Sequence, residues 1–262
     1  METGALIKYI NYILFSSHRR GHGIHSPFVF HLISDVFRNK SISSVVIELE
    51  KIRKNLTSDK RIINVHDLGA GSKYRKDSLR KISEITRHSS IPRKYGYLLF
   101  SLSGEFGGQD ILELGTSLGI STMYLAKGSP SSTVHTIEGC PRLSEIARDN
   151  FEKTGCRNII SHTGHFEEVI SDLASRKISP GLSFIDGHHK KEPVIKYFTK
   201  LAEMGDDKSV IVLDDIHSTR EMGEAWEEIK KHPEVSVTVD IFRMGLVFFS
   251  KGVMHGDYIV RY

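Results

Sequence analysis

From Gly108 onward the chain alternates two textures. Short, nearly continuous apolar runs bounded by Gly, Asp or Asn give way to stretches whose apolar residues return every three or four positions. The first texture predicts strands buried on both faces, and the second predicts amphipathic helices packed over them. The pattern places strands near 110–114, 133–138, 157–162, 181–186 and 209–214, and helices near 119–127, 141–154, 165–176, 189–204 and 219–231. Such alternation predicts an α/β fold with a parallel sheet and crossover helices. The last part differs. VSVTVDIF (Val235–Phe242) and GLVFFSK (Gly245–Lys251) are separated only by Arg243 and Met244. A link this short cannot carry a crossover, so the two runs form an antiparallel hairpin.

The first hundred residues carry helical texture instead. HSPFVFHLISDVF is helical after Pro27, and VVIELEKIRKNL (Val45–Leu56) and SLRKISEITRHS (Ser78–Ser89) have helical spacing. IPRKYGYLLFSLSGEF then leads into the first strand. The expected division is a helical N-terminal extension or cap over 1–106 and a ligand-binding domain over 107–262. The extension covers the mouth of the ligand site or supplies substrate contacts. Leu6, Ile10, Ile13 and Leu14 recur at helical spacing near the start. That helix packs on the body or on a second subunit in a homodimer. The alternative is a membrane-surface helix followed by Arg19 and Arg20. Lys8 and Asn11 interrupt the run, so it does not span a membrane, and it lacks the basic leader of a signal peptide.

Composition narrows the setting. Hydrophobic content of 39% with 26% charged residues fits a globular protein with a sizeable core. A net charge of +4 is too mild to imply nucleic acid by itself. Cys140 and Cys156 are the only cysteines and show neither metal-site nor disulfide spacing, so a reducing, cytoplasmic location is expected.

The densest chemistry lies in ILELGTSLGISTMYLA, Ile111–Ala126. An apolar run ends in Glu113, a turn carries Gly115, Ser117 and Gly119, and Ser121 opens a helical pattern. Strand, tight turn and helix N-terminus bring backbone N–H groups towards a nucleotide-like ligand. Glu138, followed by Gly139, closes the next apolar run, where a carboxylate can grip two ribose hydroxyls. The spacing E-x-G-x-x-x-G is looser than a dinucleotide fingerprint, and no Lys-Ser or Lys-Thr follows as in an ATP phosphate loop. An acid at the head of the turn repels phosphate and suits the cationic amino-acid end of S-adenosylmethionine. A second glycine-rich stretch, INVHDLGAGSK (Ile63–Lys73), imitates this loop but lacks the acid-ending strand after it. It reads as a flexible substrate loop or an ordinary turn.

On these motifs the segment from about Tyr95 to Lys251 resembles the class I S-adenosylmethionine-dependent methyltransferases. It is most similar to the O-methyltransferase branch typified by catechol O-methyltransferase, whose first motif reads E-L-G-x-x-x-G-x-S. The resemblance implies a Rossmann-like sheet of strand order 3-2-1-4-5-7-6, with Gly115 and Gly119 at the cofactor and Glu138 on its ribose. It implies that His165 and Phe166, after the third strand, bracket the adenine. Phe166 can equally begin the core face of its helix with Val169, Ile170 and Leu173. Tyr95 and Gly96 match the segment that the branch places near the methionine end.

Two further strand ends carry acids: Asp186 in LSFIDGHHKK, with His188 and His189 after it, and Asp214 and Asp215 in VIVLDDIHSTRE, with His217 beyond. Strand C-termini line one crevice in an open α/β sheet, so these acids are expected beside the cofactor. Converging carboxylates repel one another, and Mg²⁺ or Mn²⁺ relieves that through oxygen ligands while acidifying a substrate hydroxyl. Metal-dependent O-methyltransferases, including sugar and macrolide enzymes, are similar at these positions. The resemblance implies Asp186, Asp214 and Asp215 as ligands, although Asp215 stands where the catechol enzyme has Asn and His189 where it has Lys. Asp214 can instead cap a helix or hold a loop, with Asp186 contacting the cofactor. His189 is the leading general base, with His188 and His217 as competitors. The expected activity is O-methylation of a small-molecule hydroxyl. The rivals are an RNA methyltransferase using the basic segments RRGHGIH and SKYRKDSLRK, and a non-catalytic binding protein that keeps the fold.

Overall fold

The computed structural model describes residues 9–10, 12–16, 25–38, 43–66 and 77–262. Leu6, Arg19, Arg20 and the glycine-rich segment 67–71 lie outside the described residues. The chain divides into two compact units, residues 39–180 and residues 1–38 with 181–262.

In the first unit, α2 (Ser43–Ser58) precedes an antiparallel pair, β1 (Ile62–His66) and β2 (Asp77–Lys81), in register from Ile62↔Lys81 to His66↔Asp77. α3 (Ile82–Ser89) and α4 (Arg93–Phe106) follow. The helical reading of 78–89 therefore holds only from Ile82, and β1 was not expected. Ile63 and Val65 are buried while Ile62, Asn64 and His66 are exposed. That two-residue alternation is too short to stand out from its helical surroundings. β3 (Asp110–Leu114), α5 (Ile120–Gly128), β4 (Thr133–Glu138), α6 (Pro141–Lys153), β5 (Ile159–Thr163) and α7 (Phe166–Ser175) form the parallel β5-β4-β3 layer and its helices. α5 is buried from Ile120 to Ala126, so it reads as apolar on all sides. It is enclosed by α2 and α4 as well as by the sheet layer. A Cβ on Gly128 would lie 2.2 Å from the Phe100 carbonyl oxygen, and only glycine lets α4 and α5 approach so closely there.

In the second unit, α1 (Pro27–His31) is capped by Ser26, whose hydroxyl accepts the Val29 N–H. It continues as a π turn over Leu32–Val36. β6 (Pro180–Ile185), α8 (Lys191–Met204), β7 (Val210–Leu213) and α9 (Arg220–Ile229) lead to the hairpin of β8 (Val237–Asp240) and β9 (Gly245–Phe248). β6 pairs parallel with β7, β9 runs antiparallel to β7, and β8 antiparallel to β9. The orders β5-β4-β3 and β6-β7-β9-β8 are the 3-2-1 and 4-5-7-6 segments expected from the resemblance. A further strand, β10 (Gly256–Ile259), pairs parallel with β8. The Tyr12 hydroxyl pins the chain just beyond it, donating to the Val260 carbonyl at 2.7 Å. Tyr12 is thus the buried residue of the stretch 12–16, whereas Ile10 and Leu14 of the expected apolar stripe are exposed. Among the described residues no helix is long and apolar enough to cross a membrane.

Candidate active site

The turn after β3 is shaped by three residues in left-handed conformation: Gly115 (φ 107°), Ser117 (φ 48°) and Gly119 (φ 81°). The sequence pattern suggested N–H groups aimed at a ligand, but those of the turn are largely used inside the protein. The Gly115 and Thr116 N–H groups both donate to the Ile137 carbonyl, at 3.0 and 3.2 Å, and that of Gly119 donates to Thr116. The Ser117 N–H donates to Glu138 Oε2 at 2.7 Å. These donors are unavailable to cradle a pyrophosphate, which argues against a dinucleotide. Gly119 heads α5, and a Cβ there would meet the Phe151 ring at 2.4 Å. Its glycine therefore serves helix packing.

Glu138 is half-buried at the end of β4. Its Oε1 accepts the Cys140 N–H at 2.9 Å while Oε2 holds Ser117. One N–H on each oxygen fixes the plane of the carboxylate. Glu113 is fully buried. Its Oε2 accepts the Thr122 and Thr136 hydroxyls, and Thr136 in turn meets Thr116 at 2.6 Å. Its Oε1 is buried without a hydrogen bond of normal geometry. Burial pushes the carboxyl up to about 7, against the pull of the Ser121, Thr122 and Thr136 hydroxyls. Asn150 of α6 ties the same turn down by donating to the Leu118 carbonyl at 2.9 Å. After β5, His165 is exposed at the N-cap of α7 and Phe166 is half-buried, on the helical face that carries Ile170 and Leu173.

The second unit holds the other acids. The Asp214 N–H donates to the Ile185 carbonyl at 3.0 Å, setting Asp214 beside the end of β6, where Asp186 follows. Two left-handed residues, His188 (φ 64°) and His189 (φ 34°), shape the turn after Asp186. Non-glycine residues held in that region are a mark of functional turns. The turn brings His189 Nε2 to 3.6 Å from Asp186 Oδ1. His188 Nδ1 is engaged with the Tyr197 hydroxyl at 2.5 Å, and His217 Nε2 with Asp240 at 2.7 Å. His189 is thus set beside a strand-end acid of this cluster.

Residues 112–216 match the family described as methyltransferase domain. A catechol O-methyltransferase of Mycobacterium tuberculosis is 30% identical over 130 residues, which is 48% of this chain and 57% of that protein. One of Niastella koreensis is 27% identical over 130 residues, 48% of this chain and 58% of that protein. The chain therefore spans a little over half the length of the curated relatives it matches. The O-methyltransferase from Bacillus cereus, solved in complex with SAH, superposes with a TM-score of 0.54 at 21% identity, over 84% of this chain and 97% of that one. That likeness shows a shared fold.

The residues present fit S-adenosylmethionine better than a phosphate-rich ligand: Glu138 is a strand-end carboxylate of fixed plane, and the N–H groups of the turn are largely used within the protein. They fit a divalent cation poorly. Asp214 is buried, and Arg243 forks both of its oxygens, Nε to Oδ1 at 2.8 Å and Nη2 to Oδ2 at 2.5 Å. Arg243 Nη2 also lies 3.6 Å from Asp215. Burial raises the Asp214 carboxyl while the fork opposes the rise. For Arg243, burial works against the charge, but Asp214, Asp215 and Asp186 outweigh it and hold the guanidinium above its ordinary range. The counter-charge that the acids require is thus already present. Sequence reasoning passed over Arg243 as a mere hairpin link. A lone arginine in a two-residue turn between buried strands was the only available signal.

Proposed function

We propose that this chain is an S-adenosylmethionine-dependent O-methyltransferase acting on the hydroxyl of a small molecule. The observation that carries the reading is Glu138, a strand-end carboxylate whose plane is fixed by the Ser117 and Cys140 N–H groups. The match to catechol O-methyltransferases supports oxygen as the acceptor atom. When bound, S-adenosylmethionine supplies a methyl group activated by a sulfonium. In this reading Glu138 holds the ribose, and the turn of Gly115, Ser117, Gly119 and Ser121, with Glu113 behind it, shapes the floor. Gly139, His165 and Phe166 face the adenine, with Phe166 offering its ring. Asp186 contacts the cofactor and orients His189. His189 takes the acceptor's hydroxyl proton at Nδ1, the ring nitrogen not turned to Asp186, and the Asp186 carboxylate beside Nε2 faces the imidazolium that forms. Holding the acceptor oxygen in line is itself a large part of catalysis. No step is assigned to Mg²⁺ or Mn²⁺, because Arg243 already engages Asp214. The two buried free cysteines support a cytoplasmic setting.

Calorimetry with S-adenosylhomocysteine tests the reading. Glu138→Ala is expected to weaken binding by about 1.5–3 kcal/mol, the range for a charged hydrogen-bond partner. Undiminished affinity in that variant overturns the ribose assignment, and a wild-type protein that does not bind overturns the whole reading.

A further inference from the structure

We infer that Arg243 takes the place of a divalent cation at the acid cluster of Asp186, Asp214 and Asp215, so that this site works without metal. The inference shares the acid cluster with the proposed function but rests on the geometry of Arg243.

The arginine is delivered by a built turn. Arg243 lies between β8 and β9, and its carbonyl accepts the Ile216 N–H at 3.1 Å, tying the hairpin to the chain just after Asp215. Its own N–H donates to the Ile241 carbonyl at 3.0 Å, and the Ile241 N–H donates to Met244 at 3.0 Å. Phe242 is left-handed, φ 72°, and its N–H donates to Asp240 Oδ1 at 2.7 Å. The other oxygen of Asp240 meets His217 at 2.7 Å. Each link fixes the backbone from which the guanidinium projects, so the fork on Asp214 is preorganised.

Chemistry then sets the competition. A hard divalent ion needs carboxylate oxygens free to ligate, and it must approach without a neighbouring cation. The planar fork matches the carboxylate edge in two parallel charge-assisted hydrogen bonds. Asp214 is 1% exposed, so water does little to screen a second cation brought to the same carboxylate. Both candidate cations would have to share Asp214, which Arg243 forks, and Asp215, which lies 3.6 Å from the same guanidinium.

The experiment measures Mn²⁺ binding by electron paramagnetic resonance, which needs neither cofactor nor acceptor. Wild-type protein is expected to bind Mn²⁺ no more tightly than about 1 mM, the weak end for oxygen-ligand sites. Arg243→Met, which removes the charge and keeps most of the bulk, is expected to bind it about tenfold or more tightly, since a unit charge a few ångströms from a divalent ion is removed. Adding Asp214→Asn to that variant should abolish the gain. Wild-type binding well below 1 mM that is lost in Asp214→Asn overturns the inference, as does a folded Arg243→Met with no gain. Should Arg243→Met fail to fold, Arg243→Gln and the wild-type measurement decide the same question. Binding of S-adenosylhomocysteine, measured on the same samples, reports separately on the proposed function.

Discussion

Glu113 lies near the end of β3, where its surroundings set its protonation. Its place at the head of the turn suggested a partner for a cationic ligand. The structure buries it and gives Oε2 to two threonine hydroxyls. Its carboxyl, raised from 4.5 to about 7, links stability to pH. Below about 4.5 the group is protonated whether the chain is folded or not. Between 4.5 and about 7 the unfolded chain releases the proton while the folded one keeps it, so stability falls as pH rises. Above about 7 the loss is complete, on the order of 3 kcal/mol at 1.36 kcal/mol per unit. Glu113→Gln removes the titration. The variant's stability relative to wild type, from urea unfolding, is expected to improve by roughly 2–3 kcal/mol between about pH 5 and about pH 8. A difference that stays constant across that range would show that Glu113 is ionised throughout. The reading of Glu138 as the acid that closes a strand agrees with its place at the end of β4. Its donors, Ser117 and Cys140, were not assigned to it, because backbone N–H direction depends on the left-handed turn and not on side-chain identity.

Among the elements, those with a repeated period were the legible ones. The strands read at 110–114 and 133–138 coincide with β3 and β4, and the helix read at 141–154 is α6 less one residue. The hairpin followed from a link too short for a crossover. What escaped was short or lacked a period. β10 spans four residues that alternate half-buried and exposed against β8, and it owes its place to Tyr12, far away in sequence. β1 and β2 sit within a stretch of helical texture. The junction of β3 and α5 offers a test at this scale. Gly119→Ala must accept a left-handed backbone and a Cβ 2.4 Å from Phe151. The expected loss is about 2–4 kcal/mol in denaturant unfolding, part strain and part overpacking. Adding Phe151→Leu should recover the packing part only. Full recovery in the double variant would mean that the left-handed conformation contributes nothing.

At the scale of the whole molecule, the sequence order hides which distant segments build one body. The expected split at 106/107 follows a change of texture. The compact unit of residues 1–38 and 181–262 is discontinuous in sequence, and no periodicity in either segment announces the other. Its joint is made of specific contacts. The Phe28 ring stands edge-on to Phe248 with centroids 4.9 Å apart, and Phe37 meets Tyr262 at 5.3 Å. The Arg261 guanidinium donates to the Ile13 carbonyl at 2.9 Å, and the Tyr12 hydroxyl donates to Val260 and accepts the Tyr262 N–H. Val29, Leu32, Ile33 and Val36 are all buried, so residues 25–38 supply core as well as edge contacts. Removing residues 1–38 is therefore expected to expose Phe248 and release the chain beyond β10. The Tyr262 amide, which loses its acceptor, should exchange with solvent about tenfold faster or more, the equivalent of roughly 1.4 kcal/mol for a lost buried partner. Dye binding to the newly exposed apolar surface should rise in parallel. If the shortened protein keeps the same amide protection over 256–262, β8 alone holds β10, and the Tyr12 anchor has no part in stabilising that edge.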